Sequence, residues 1–258
     1  GQEVLLTSSQ DPYLRTHPLT RERISFLEQA VRQSEYAGQG APPHLQMLHD
    51  RMRAKLLGFL EPERRVLQRY PEEDVSLPAR YARAIAAHRS GNMALALQRV
   101  EELIADWPAD PFFHELRGQI LLENGRLAEA VPSYRQAVAL MPDAPQMRLR
   151  MAQAQVGLDD RAQDREALDN LNRVLASEPE NASAWRLKAI VEGRLGDTGM
   201  AALALAEMHY ADDNWREARG QAERAELLLN SGTPAWLRAS DLAEIAEREE
   251  EREERRRR

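Results

Sequence analysis

The side chains in this 258-residue chain best suited to acid–base or metal chemistry are six histidines: His17, His44, His49, His88, His114 and His209. None stands in an HExxH, HxH or His-x-x-Glu pattern. His44 and His49 are five apart, a poor spacing for one helical face. Cysteine is absent, which excludes thiolate nucleophiles, disulfides and cysteine-based zinc sites. There is no G-x-S-x-G elbow, P-loop or G-x-G-x-x-G turn. Carboxylates abound, but in patterns that read as solvated helix faces. The residues therefore predict no catalytic centre and no cofactor in this chain.

The composition narrows the elements that position these residues. Hydrophobic residues make up 43% and aromatics only 5%. Abundant alanine suits close helix–helix contact better than a β-sandwich, which favours β-branched and aromatic residues. No apolar run approaches the ~18–20 residues of a membrane span. The net charge is −7 with no evident basic face, so a phosphate-neutralising surface for nucleic acid is not expected. The opening GQEVLLTSSQ lacks the basic-then-apolar pattern of a signal peptide. That fits a cytosolic protein, or a mature or truncated form.

Several columns of residues share one period. Small residues stand at Ala84, Gly118, Ala152 and Ala189, and again at Ala96, Ala130, Ala167 and Ala201. Larger ones stand at Val100, Tyr134, Leu171 and Leu205, and at Leu103, Ala137, Val174 and Met208. Turn residues fall at Gly91, Gly125, Asp159 and Gly196, and closing prolines at Pro108, Pro142 and Pro179. A repeat of 34 residues with this pattern resembles the tetratricopeptide repeat. Small residues let paired helices approach, glycine supplies a turn with positive φ, and proline ends the second helix. One step is 37, and the three extra residues are expected in the turn LDDRAQDRE, where insertion costs little. Pro132, about a turn into a second helix, predicts a mild kink.

The expected fold is all-α: a right-handed tetratricopeptide superhelix of four to five hairpins, with an N-terminal helical collar and a C-terminal capping helix. The repeats span 75–108, 109–142, 143–179 and 180–211. Residues 21–74 form the collar, with apolar positions at Ile24, Phe26, Leu27 and Val31. Residues 212–246 add a repeat-like helix bearing Trp215, Ala218, Ala222 and Ala225, and then the cap. Residues 247–258 are a solvated charged tail with Glu251–Arg255 and Glu254–Arg258 pairs.

Five fragments, DPYLRTHPLTRERI, HDRMRAKLLGFL, ARYARAIAAHRSG, DPFFHELRGQILLENGR and GTPAWLRASD, together resemble one family. It is the C-terminal region of periplasmic HExxH zinc metallopeptidases that carry tetratricopeptide repeats, the β-barrel assembly-enhancing protease family. That family is related to the HtpX and CAAX prenyl protease peptidases, and the wording is similar to alphaproteobacterial members. The resemblance implies a zinc endopeptidase domain upstream, with residues 1–20 a loop remnant of it. It implies zinc in that parent protein, held by residues outside this chain, so no catalytic residue carries over. It makes His17, in RTHPLTRERI, a candidate regulatory zinc ligand in the intact parent. It also implies a periplasmic location, with unfolded or outer-membrane substrates, the barrel-assembly machinery and the protease domain as partners. Without it, the chain reads as a cytoplasmic stand-alone scaffold.

First helices line the inner face of such a superhelix. The positions that point inward are Tyr81, Ile85, His88, Arg89, Phe112, Glu115, Gln119, Glu123, Gln146, Leu149, Gln153, Arg186, Ile190 and Arg194. This mixture of polar, apolar and arginine side chains predicts a groove for a peptide or protein segment.

Overall fold

The computed structural model describes residues 20–38, 40 and 42–257. The loop expected before residue 20, His17 included, lies outside the described residues. In order, the helices are α1 (Thr20–Gln33), α2 (Pro43–Leu60), α3 (Glu63–Arg69), α4 (Leu77–Arg89), α5 (Met93–Asp106), α6 (Pro111–Glu123) and α7 (Leu127–Leu140). They continue as α8 (Pro145–Gly157), α9 (Arg161–Ser177), α10 (Ala182–Leu195), α11 (Thr198–Ala211), α12 (Trp215–Leu228) and α13 (Pro234–Arg257). No strand occurs among the described residues.

The chain divides into two compact units, Gly1–Asp50 and Arg51–Arg258. In the first, Ile24, Phe26, Leu27 and Val31 of α1 are all exposed. The second unit carries five hairpins: α4/α5, α6/α7, α8/α9, α10/α11 and α12/α13.

The local reasons for these hairpins recur. The first or second residue after each of four first helices takes a positive φ, at Gly91 (81°), Gly125 (74°), Asp159 (53°) and Gly196 (96°). Gly232 (79°) does the same before α13. Four of these five are glycine, for which that region costs nothing. Helix starts are capped by side chains: Ser76, Asn92, Asp110, Asp160, Asn181 and Asp197 each accept a bond from an amide in the first turn. Pro132 sits within α7, which runs through it unbroken.

The small-residue columns meet the large ones across the first three hairpins. A Cβ on Gly118 would lie 2.9–3.0 Å from the ring of Tyr134, so only glycine lets α6 approach α7 this closely. Between repeats, Phe113, Leu116 and Ile120 of α6 join Tyr81, Ala84, Ile85, Val100 and Leu103 in one core.

A third device links successive repeats. The fourth residue of three first helices bonds the carbonyl of the proline six positions back. His114 Nε2 lies 2.8 Å from Pro108 O, Arg148 Nε donates to Pro142 O at 3.0 Å and Trp185 Nε1 to Pro179 O at 2.8 Å. Three unlike side chains do one job, so residue type does not reveal it.

Two expectations need correction. The three extra residues of repeat three do not lengthen a loop. They lengthen α9, which has 17 residues where α5, α7 and α11 have 14. Three residues are close to one helical turn, so added at the start they leave the rest of the helix on nearly the same face. The second correction is in repeat four. There the 34-residue columns place Ala201, Leu205 and Met208 in the core, yet all three are only half-buried. Gly199, Ala202, Leu203, Ala204 and Ala206 are buried instead. Helix α11 lies against α10, α12 and α13 and is apolar around most of its circumference, so no single stripe dictates its rotation.

The last hairpin closes on Ala222, Ala225, Ala239 and Leu242, packed against Ala202, Leu203 and Ala206. Helix α13 then runs on as a charged helix to Arg257, with Glu251–Arg255 paired at 3.2 Å. Arg219 of α12 reaches Glu247 at 3.2 Å. The Glu254–Arg258 pair falls outside the described residues.

Candidate functional site: the first-helix face

The described residues hold no group of three or more His, Asp or Glu side chains able to bind a metal. No described helix is long and apolar enough to cross a membrane. The remaining candidate is the face carried by the first helices, and it falls into two halves.

The half on repeats one and two is covered by the chain itself. Arg51, on α2, sends Nη1 and Nη2 to Asp110 Oδ2 and Oδ1 at 2.5 and 2.6 Å. Its guanidinium also lies 4.8 Å from the ring centres of Phe112 and Phe113 and 5.3 Å from that of Tyr81. One turn on, Lys55 Nζ is 3.4 Å from Glu115 Oε2 and 5.6 Å from the Phe112 ring. At Gly58 a Cβ would stand 2.9 Å from Ile85 Cβ and 3.0 Å from Ala82 O. Asp110 is also the N-cap of α6, so one carboxylate starts the helix and anchors α2.

This arrangement corrects part of the predicted groove. Tyr81 and Ile85 are 1% and 0% exposed, and Phe112 and Glu115 are engaged by α2. Sequence periodicity assigned them correctly to first helices, but could not report that α2 would lie on them. Burial pushes the Tyr81 phenol well above its ordinary pKa. The Tyr134 hydroxyl is buried without a hydrogen-bond partner.

Behind α2 the connection to α4 is pinned by Arg83, which is 5% exposed. Its Nη1 donates to the carbonyls of Pro71 (2.5 Å) and Asp74 (2.9 Å), and its Nε lies 3.3 Å from Glu72. The loop's buried carbonyls are thereby satisfied and α3 is held on Ala79, Ala82 and Ala86. The sequence analysis missed Arg83. An arginine flanked by alanines at buried positions was the signal available.

His88 closes this half. Its Nε2 is 2.9 Å from Glu123 Oε2, joining α4 to α6, but without hydrogen-bond alignment. The ring is buried and Glu123 is exposed.

The second half is open. Gln119 and Gln153 are half-buried, and Glu123, Gln146, Arg186 and Ile190 are exposed, Ile190 at 37%. Arg89 is exposed beside the end of α4. Leu149 is mostly buried and forms floor more than lining. Arg194 is held in place. Its Nη1 donates to Val156 O at 2.8 Å and lies 3.2 Å from Asp164 Oδ1, while its Nη2 is 3.1 Å from Asp159. Asp164 is 1% exposed and follows directly on the extra turn of α9, 161–163, where it supplies the counter-charge that fixes Arg194. Beneath, Asn170 Nδ2 donates to Gln155 Oε1 at 3.2 Å and Asn170 Oδ1 accepts from Arg148 Nη1 at 3.2 Å. A polar network thus stiffens repeat three under the face. On α10, burial pushes the Glu192 carboxyl up and the Lys188 ammonium down, and each opposite charge partly offsets the other's shift.

The comparisons agree with this architecture. Tetratricopeptide-repeat profiles match residues 79–145 and 121–191. No curated protein matches the chain. Among solved structures, YrrB, described as a tetratricopeptide protein with an unusual peptide-binding site, superposes with a TM-score of 0.55 at 17% identity. That likeness covers 67% of this chain and 90% of YrrB. A structure of MamA superposes with a TM-score of 0.53 at 18% identity, covering 66% of this chain and 98% of MamA. Residues 79–191 are tetratricopeptide repeats, and the fold built on them is an all-α tetratricopeptide superhelix.

Proposed function

We propose that the chain is a protein-interaction module that holds a polypeptide segment along the open half of its first-helix face. The observation that carries this reading is the run of exposed Gln146, Arg186 and Ile190 with half-buried Gln153 on α8 and α10, set on a floor stiffened by the Asp164–Arg194 and Asn170–Gln155 contacts. Amide side chains bond a peptide backbone, Ile190 offers an apolar contact, and Arg186 selects an acidic neighbour. YrrB, of the same fold, is described as having a peptide-binding site. The test is isothermal titration of an immobilised-library hit against the wild type and R186E/I190A. A loss of tenfold or more supports the site, and unchanged affinity removes it.

We further propose that this module serves a periplasmic zinc metallopeptidase, binding substrate polypeptides or outer-membrane assembly partners for a protease domain upstream of Gly1. The support is the resemblance of the five fragments, RTHPLTRERI with His17 among them. Zinc and the catalytic residues belong to that domain. The test is to read the frame upstream of Gly1 for HExxH and a downstream glutamate. Where they stand, proteolysis by the intact enzyme is compared with and without R186E/I190A and H17A. A frame without them leaves a stand-alone adaptor.

A further inference from the structure

We propose that the first-helix face of repeats one and two is itself a binding site, for a basic amphipathic helix, and that α2 is its resident occupant. This deepens the interaction reading above by naming a second site and its ligand class. Helix α2 joins the core through Ala54, Leu57 and Phe59 and adds a row of charged contacts beside it. Two cations one turn apart, Arg51 and Lys55, meet two carboxylates of α6, Asp110 and Glu115. Arg51 is boxed by three aromatic rings, and Gly58 gives the close approach at the far end. The opposite ridge of the same turns, Met52, Leu56 and Leu60, stays 56, 52 and 77% exposed, so α2 is covered on one side only.

Past the last cation of α2, the exposed Glu123 carboxylate continues the acidic row of α6, 2.9 Å from His88 Nε2. A helix carrying Arg-x3-Lys, with a small residue three positions later, fits this site by charge and shape. Such a helix arriving from another protein must displace α2, so α2 sets the threshold for binding.

The probe is a fluorescein-labelled peptide of residues 43–60, tested against the full chain. R51E/K55E and, separately, Gly58→Leu are the openers, with circular dichroism confirming that each remains folded. We expect the peptide to bind either opened chain at least tenfold more tightly than wild type. The same peptide carrying R51E/K55E should not bind. In the wild-type chain, which needs no substitution to fold, saturating peptide should raise hydrogen exchange at amides 51–60. Equal binding by wild-type and opened chains, equal binding of the charge-reversed peptide, or unchanged exchange overturns the proposal. Binding through Arg186 and Ile190 is read separately, so either site can fail without the other.

Discussion

Arg51 and Asp110 form a two-pronged ion pair, at 2.5 and 2.6 Å, across 59 positions of sequence. Both side chains are largely withdrawn from water, and Asp110 also caps α6 through the Phe112 amide at 3.0 Å. D110A therefore removes two interactions and strands a guanidinium, at a cost of about 3 kcal/mol. D110N keeps an acceptor for the cap and loses only the charge, so it costs less. Urea unfolding of the two variants separates the contributions, and equal losses would show that the cap carries none of the effect.

Gly118 and Gly220 predict opposite signs for one substitution. G118A drives a methyl into the Tyr134 ring and should destabilise by about 1–3 kcal/mol. Gly220 lies inside α12 with nothing within 4 Å of a built Cβ. G220A should stabilise by about 0.5–1 kcal/mol through helix propensity alone. Thermal unfolding of both checks the pair.

The bond from Trp185 Nε1 to Pro179 O fastens α10 to the end of the preceding repeat. W185F keeps an aromatic ring but deletes the donor and trims the indole, which should cost about 1–2 kcal/mol. Hydrogen exchange should rise at the α9–α10 junction and not in repeat one.

Glu192 gives a pH dependence. Burial raises its pKa in the folded state, so the folded chain holds that proton to higher pH than the unfolded chain. Its contribution to stability therefore falls as pH rises from the usual carboxylate range through the raised value. E192Q removes the penalty. It should be the more stable form at pH 7, by about 0.5–1 kcal/mol, with the gap closing near pH 4. Guanidinium titrations at the two pH values decide it, and a gap that widens on acidification contradicts the sign.

The sequence by itself determined the helical hairpin, its period and its turns. Those depend on residues at fixed short spacings: glycine where φ must be positive, a small residue where helices touch, a proline where a helix stops. Gly91, Gly125, Asp159 and Gly196 were legible as turns for that reason. It also placed Gln146, Arg186 and Ile190 on exposed parts of first helices, because helical periodicity fixes which side of a helix a residue occupies. Only the tertiary structure decided that Tyr81 and Ile85 lie beneath α2, since the partners Arg51 and Asp110 come from separate elements with no shared spacing. Likewise, the three extra residues of repeat three were expected in the turn, and only the structure placed them in the first turn of α9. Local spacing encodes an element and its faces. Which face is covered depends on contacts between distant segments, whose energies no periodicity records.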